Sequence, residues 1–226
     1  MSQTIRTQAI VLRRTNYGEA DRIIQILTPE HGKLSAIAKG VRREKSKLAG
    51  AVEPFARLDM TLHIGKSDLA IITGSRIEQT YRTILEDYDR LQFGYDSIKQ
   101  VAKAADALDE SAFFTLLDEV LRSLNNLQIS LAVIKVWFWL QLAILLGQGL
   151  NLSTDDNGMK LVEDARYDFD PNAGVLVFNN QGRFTAEHIK ILRLLSARSP
   201  QVAMQVNGIE TLIDDCLWIA ERAAAH

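Results

Sequence analysis

From Arg57 to Ile64 polar and apolar residues alternate without a break (Arg-Leu-Asp-Met-Thr-Leu-His-Ile), the pattern of a strand with one face buried and the other in water. Four neighbouring segments fit the same reading. Gln8 to Arg13 is a short apolar run ending in Arg13-Arg14, and Arg22 to Leu27 is rich in β-branched residues. Leu34 to Lys39 is strand-like, and Leu69 to Thr73 starts a fifth strand. Turn signals separate them at Asn16-Tyr17-Gly18, Pro29-Glu30-His31-Gly32 and Gly65-Lys66-Ser67-Asp68. Five strands in about 70 residues with one long excursion predict a small barrel. Periodicity alone leaves an OB-fold and an SH3-like barrel equally open.

From Tyr81 the period lengthens. Ile84, Tyr88, Leu91 and Tyr95, then Ile98, Val101, Ala102 and Ala105, recur at helical spacing. A second helix follows Ser111 as its N-cap and carries Phe113, Phe114, Leu116, Leu117, Val120, Leu121 and Leu124. Leu131 to Leu146 is apolar nearly all round, with Lys135 and Gln141 as interruptions; at 16 residues it falls short of the ~20 needed to span a bilayer. It is expected to be a buried central helix, with Trp137, Phe138 and Trp139 in the packing and Gly147 and Gly149 closing it. Residues 151–182 break the helical pattern and predict a small β insertion, in which Lys160-Leu161-Val162 and Val175 to Phe178 are strands and Leu161, Phe169, Leu176 and Phe178 pack together. Two further helices follow, one capped by Thr185 and ending before Pro200, one after Gly208 that includes Cys216. The expected class is α+β: a barrel over 1–80, then a mainly helical domain over 81–226.

Composition adds little until charge is divided along the chain. The 226 residues hold 26 Lys+Arg and 28 Asp+Glu. Residues 1–80 carry 13 cations and 8 anions, whereas 81–226 carry 13 and 20. A basic first part suggests a polyanionic partner, and an acidic second part suggests a different one. The positive charge is densest from Lys33 to Lys47, where Lys33, Lys39, Arg42, Arg43, Lys45 and Lys47 face one acid, Glu44. This segment reads either as a solvated connection or as charges aimed at phosphates. With Arg13 and Arg14 these are the candidate phosphate contacts; Tyr17 and Phe55 are the candidate base stackers.

Catalytic patterns do not emerge. There is no phosphate-cradling Gly-x-x-x-x-Gly-Lys-Ser/Thr, no Gly-x-Ser-x-Gly and no His-Glu-x-x-His. His31, His63, His188 and His226 are scattered and read as surface residues. Cys216 sits among apolar helix positions and reads as inert core; a single cysteine fits a reducing compartment and gives no internal disulfide. Asp155-Asp156 reads as a turn. The amino terminus shows no secretion signal. The expectation is a binding protein without a catalytic site, metal or cofactor.

The order of several short pieces is more specific than any of them alone. Ala9-Ile-Val-Leu12, Tyr17-Gly-Glu-Ala-Asp21, Leu27-Thr-Pro-Glu-His-Gly-Lys33, Ala38-Lys-Gly-Val-Arg-Arg43 and Lys45-Ser-Lys-Leu-Ala-Gly50 together resemble the amino-terminal domain of the RecO family of bacterial recombination mediators. The resemblance is strong over about residues 5–80 and weaker beyond. It implies an OB-fold that binds single- and double-stranded DNA without sequence specificity, anneals complementary strands and helps load the recombinase RecA onto DNA coated with single-strand binding protein. It implies RecR and the tail of the single-strand binding protein as partners, and a cytoplasmic, nucleoid-associated place of action. No motif places the tail's site; Arg122 and Lys135 are the cations considered for it. Many family members carry a four-cysteine zinc site where this chain has its β insertion, and those cysteines are absent here. A protein-docking adaptor with little DNA affinity is the rival reading.

Overall fold

The computed structural model describes residues 3–44, 46, 48, 52–65, 69–108 and 111–224. Its strands form where β-branched and alternating residues predicted them. They are β1 (Gln3–Tyr17), β2 (Asp21–Thr28), β3 (Gly32–Ala38), β4 (Ala56–Ile64) and β5 (Leu69–Thr80). β1 and β5 run well beyond the expected segments, because pairing with neighbours extends strands past their apolar centres. Antiparallel pairs join β1–β2, β2–β3, β1–β4 and β4–β5, while β3 and β5 pair in parallel from Ser35↔Leu69 to Ile37↔Ile71. The order β1-β2-β3-β5-β4 returns to β1, giving an OB-like five-stranded unit. The alternation in β4 has its expected effect: Ala56, Leu58, Met60 and Leu62 enter a core with Ile5, Val11, Ile24, Ile26 and Ile72.

Strand gives way to helix near residue 80, but the spatial division falls later. One compact unit comprises residues 1–125 and the other 126–226. A 3₁₀ turn (Arg82–Glu86), α1 (Tyr88–Ala107) and α2 (Ala112–Leu124) therefore belong with the sheet. The attachment is specific. Phe55 takes a left-handed backbone (φ 56°), is 3% exposed, and meets Tyr95 of α1 edge-on at 4.8 Å between ring centroids. A Cβ on Gly94 would lie 2.8 Å from the Phe55 ring, so glycine is what lets α1 lie this close. The buried face of α1 is Phe93, Ser97, Ile98, Val101 and Ala104. Tyr88 and Tyr95, expected on that face, are exposed instead, since the apolar stripe is rotated by the contact through Phe93 and Gly94. Moving α1 and α2 into the first unit brings its charge to 18 cations against 17 anions, so the strong basic excess is a property of the sheet alone.

The second unit is built around α3 (Leu131–Leu145), with Val133, Ile134, Val136, Trp137, Phe138 and Leu140 buried as expected. α4 (Ala186–Ala197), the short α5 (Pro200–Ala203) and α6 (Ile213–Ala223) complete the helices. Gln141, the polar interruption, donates to the Leu195 and Ser196 carbonyls at 3.1 and 2.9 Å. The β insertion is a hairpin of β6 (Tyr167–Asp170) and β7 (Val175–Phe178). Its packing differs from expectation. Tyr167, Phe169, Leu176 and Phe184 are buried, Leu161 is half-buried and Phe178 is exposed. Lys160-Leu161-Val162 is not a strand; Lys160 makes a single bridge to Thr154. Asp155 caps a turn through the Asn157 and Met159 amides. No helix among the described residues is long and apolar enough to cross a membrane.

His188 is 5% exposed rather than on the surface. Its Nδ1 accepts the Thr185 backbone N–H at 3.1 Å, closing a capping box at the start of α4. Nε2 lies 3.3 Å from Asp215 without the alignment of a hydrogen bond. Burial outweighs the attraction of Asp215 and holds the imidazole below its ordinary value of 6.5. Cys216 is fully buried, which pushes its thiol up to about 12 and fits an inert core residue. His226 lies outside the described residues.

Candidate nucleic-acid interface

The sheet turns from β1 into β2 at Gly18, where φ is +56°. The segment after β3 folds back onto this turn. Asp21 accepts the Gly40 N–H at 2.7 Å, the Arg42 N–H donates to the Ala20 carbonyl at 2.9 Å, and Arg42 Nη1 donates to the Gly18 carbonyl at 3.3 Å. Gly40 itself has φ +65°, a conformation that favours glycine, and the Arg43 side chain lies beside it. Residues separated by about 20 positions in sequence are thereby gathered at one end of the sheet: Tyr17, which is 54% exposed, with the exposed Lys39, Arg42 and Arg43. None of these three cations meets a carboxylate among the described residues. Lys45 and Lys47, from the same run, lie outside the described residues.

The remaining candidates go elsewhere. Arg14 is tied to Glu53 at 2.9 Å, so part of its charge is already answered. Lys33 is largely covered; its Nζ donates to Asp106 at 2.6 Å and to the Ala102 carbonyl at 3.3 Å. Phe55 is core and offers no face for stacking. Arg13 is exposed beside a register shift between Val11 and Arg13. Two residues opposing one is a β-bulge, and it lets both Leu12 and Arg13 face the same cavity of about 410 Å³.

That cavity holds what the sequence reading missed. Tyr95, Lys99 and Lys103 form one stripe of α1 at four-residue spacing and line it opposite Arg13, Gln25 and Lys33. The stripe is visible in the sequence. Its exposure is not, because Tyr95 also fits the apolar period.

Cations on the opposite flank are in a different state. Arg6 donates from Nε to Asp59 at 2.9 Å and pairs with its second oxygen, and Arg76 lies 3.7 Å from the same carboxylate. The hydrogen bonds from Arg6 hold the Asp59 carboxyl below the usual range. Arg57 lies between Glu78 at 3.2 Å and Asp118 at 2.9 Å. Asp118, buried on α2, also accepts from the Tyr81 hydroxyl at 2.5 Å and from Arg122 at 2.7 Å. Burial, with Asp118 adjacent, raises the Tyr81 hydroxyl far above its ordinary value. This network fixes β4 to α2 and leaves little charge for an external anion.

Two comparisons bear on this arrangement. Residues 1–81 match the family model described as Recombination protein O N terminal. Over 142 residues, 63% of this chain, the sequence is 34% identical to the DNA repair protein RecO of Rubrobacter xylanophilus. The match spans 57% of that relative's length.

Proposed function

We propose that the chain, whose residues 1–81 match the RecO amino-terminal domain, is a RecO-family protein, a sequence-nonspecific DNA-binding protein of recombinational repair. The observation that carries the proposal is the docking of residues 40–42 onto the β1–β2 turn, which presents Tyr17, Lys39, Arg42 and Arg43 together without carboxylate partners. Cations held this way displace counterions from phosphates irrespective of base sequence. An exposed aromatic beside them adds contact with unpaired bases. Lowering the repulsion between two strands held at such a surface favours their annealing. Loading of RecA onto DNA coated with single-strand binding protein, and contacts with RecR and with that protein's tail, complete the role that the family resemblance implies. Cytoplasmic action as a mediator rather than an enzyme fits the same reading.

The test is single-stranded DNA binding across a salt series, comparing wild type with Arg42→Ala/Arg43→Ala. Each lost phosphate contact flattens the log–log salt slope by about 0.7, so the double variant is expected to be flatter by about 1.4 and to bind more weakly. An unchanged slope with intact folding would show this segment to be a solvated connection and favour the adaptor reading.

A further inference from the structure

The cavity between β1, β3 and α1 is separate from the cluster at the β1–β2 turn and has its own chemistry. Its volume is about 410 Å³. Arg13, Lys99 and Lys103 are exposed around it and meet no carboxylate among the described residues. Tyr95 is 47% exposed, with one edge braced by Phe55 at 4.8 Å between centroids. A ring held from behind and open in front has little motion to lose when another flat group stacks on it. Leu12 and Ile98 supply apolar wall. Among the described residues Asp106 is the one acid lining the cavity, and it occupies Lys33 at 2.6 Å.

From this geometry we propose that the cavity is a subsite for unpaired nucleotides of single-stranded DNA, in which Tyr95 stacks on a base while Arg13, Lys99 and Lys103 hold the flanking phosphates. The proposal rests on the DNA-binding reading above and adds to it a strand-selective site between the sheet and α1. Selectivity follows from stacking: a base within a duplex has both faces covered by its neighbours, so Tyr95 can engage it only after unstacking. Phosphate contacts at the β1–β2 turn carry no such requirement. Asp106 acts as an internal counter-anion, holding Lys33 until a phosphate competes for it.

The experiment measures binding of a labelled oligothymidylate and of a labelled hairpin duplex to the full chain. The variants are Tyr95→Leu, Tyr95→Phe, Lys99→Gln/Lys103→Gln and Asp106→Asn. Tyr95→Leu is expected to lose about tenfold in single-strand affinity with duplex affinity unchanged, and Tyr95→Phe to retain both. Lys99→Gln/Lys103→Gln changes only exposed positions and carries the test should Tyr95→Leu fail to fold; its single-strand salt slope is expected to flatten by about 1.4. Asp106→Asn is expected to bind the single strand more tightly at low salt and to steepen the slope by about 0.7 as Lys33 becomes available. Photocrosslinking of an iodouracil-containing oligomer should mark the peptide that contains Tyr95. Single-strand affinity and slope unchanged in both the Tyr95→Leu and the double-lysine variants would overturn the subsite. So would retention of an acidic peptide by the cavity with single-strand binding unaffected. If Arg42→Ala/Arg43→Ala weakens binding while these variants do not, the proposed function stands and the subsite falls. A wild type that binds neither oligomer removes both.

Discussion

Two flanks of the same OB-like unit carry similar numbers of cations and differ in what surrounds them. At the β1–β2 turn Lys39, Arg42 and Arg43 stand beside Tyr17 with no carboxylate partner among the described residues. On the β1–β4–β5 flank Arg6, Arg57 and Arg76 are answered by Asp59, Glu78 and Asp118. A cation already paired gives up that partner when it takes a phosphate, so it contributes little to DNA affinity. The difference shows that a count of lysine and arginine is a poor measure of a polyanion surface. Pairing decides which charges act outward, and pairing is a property of the folded chain.

The largest effect is expected from the paired side. Asp118→Ala leaves Arg57 and the buried Tyr81 hydroxyl without their shared acceptor. Removing one member of a buried ionic network costs about 3 kcal/mol, which should appear as a lower urea midpoint. DNA affinity of the folded protein should change little, since the network faces inward. A large loss of affinity at unchanged stability would mean that this flank also meets DNA.

Next in size are changes that exchange the character of the flanks. Arg6→Ala/Arg76→Ala is expected to shift the DNA salt slope by much less than the ~1.4 that two working phosphate contacts would give. Asp59→Asn should do the opposite, releasing Arg6 and Arg76 and steepening the slope by about 0.7 or more. If neither variant behaves so, pairing is not what silences this flank.

The smallest effect extends the comparison to the second unit, where His188 is buried near Asp215. Its folded value lies below 6.5, so in the window beneath 6.5 the unfolded chain binds more protons than the folded one. Stability is therefore greatest above 6.5 and falls as pH drops through it, levelling off below the folded value. His188→Gln retains an N3 acceptor for the Thr185 N–H and removes the titration. Its urea midpoint should fall less than that of wild type between about pH 7.5 and about pH 5.5. An equal fall in both proteins would place the acid sensitivity elsewhere.

Local pattern alone determined much of this protein. The alternation from Arg57 to Ile64, the β-branched run before Thr28 and the turns at Gly18 and Gly32 set the strands; the apolar run from Leu131 set the central helix. These features are legible because burial on one face imposes a period of two or 3.6 on nearby residues. The cationic segment after Lys39 was visible as composition, and its family wording as order. Contacts between distant residues were not visible. Only the fold decided that Tyr95 faces outward, that Phe55 is core, that Lys33 is occupied by Asp106, and that Arg42 folds onto Gly18. It also decided that His188 is buried and that α1 and α2 join the sheet rather than the helical unit. The reason is physical: periodicity records which side of an element is apolar, whereas a charge or a ring acquires its role from atoms brought to it by other parts of the chain, and no local pattern specifies those.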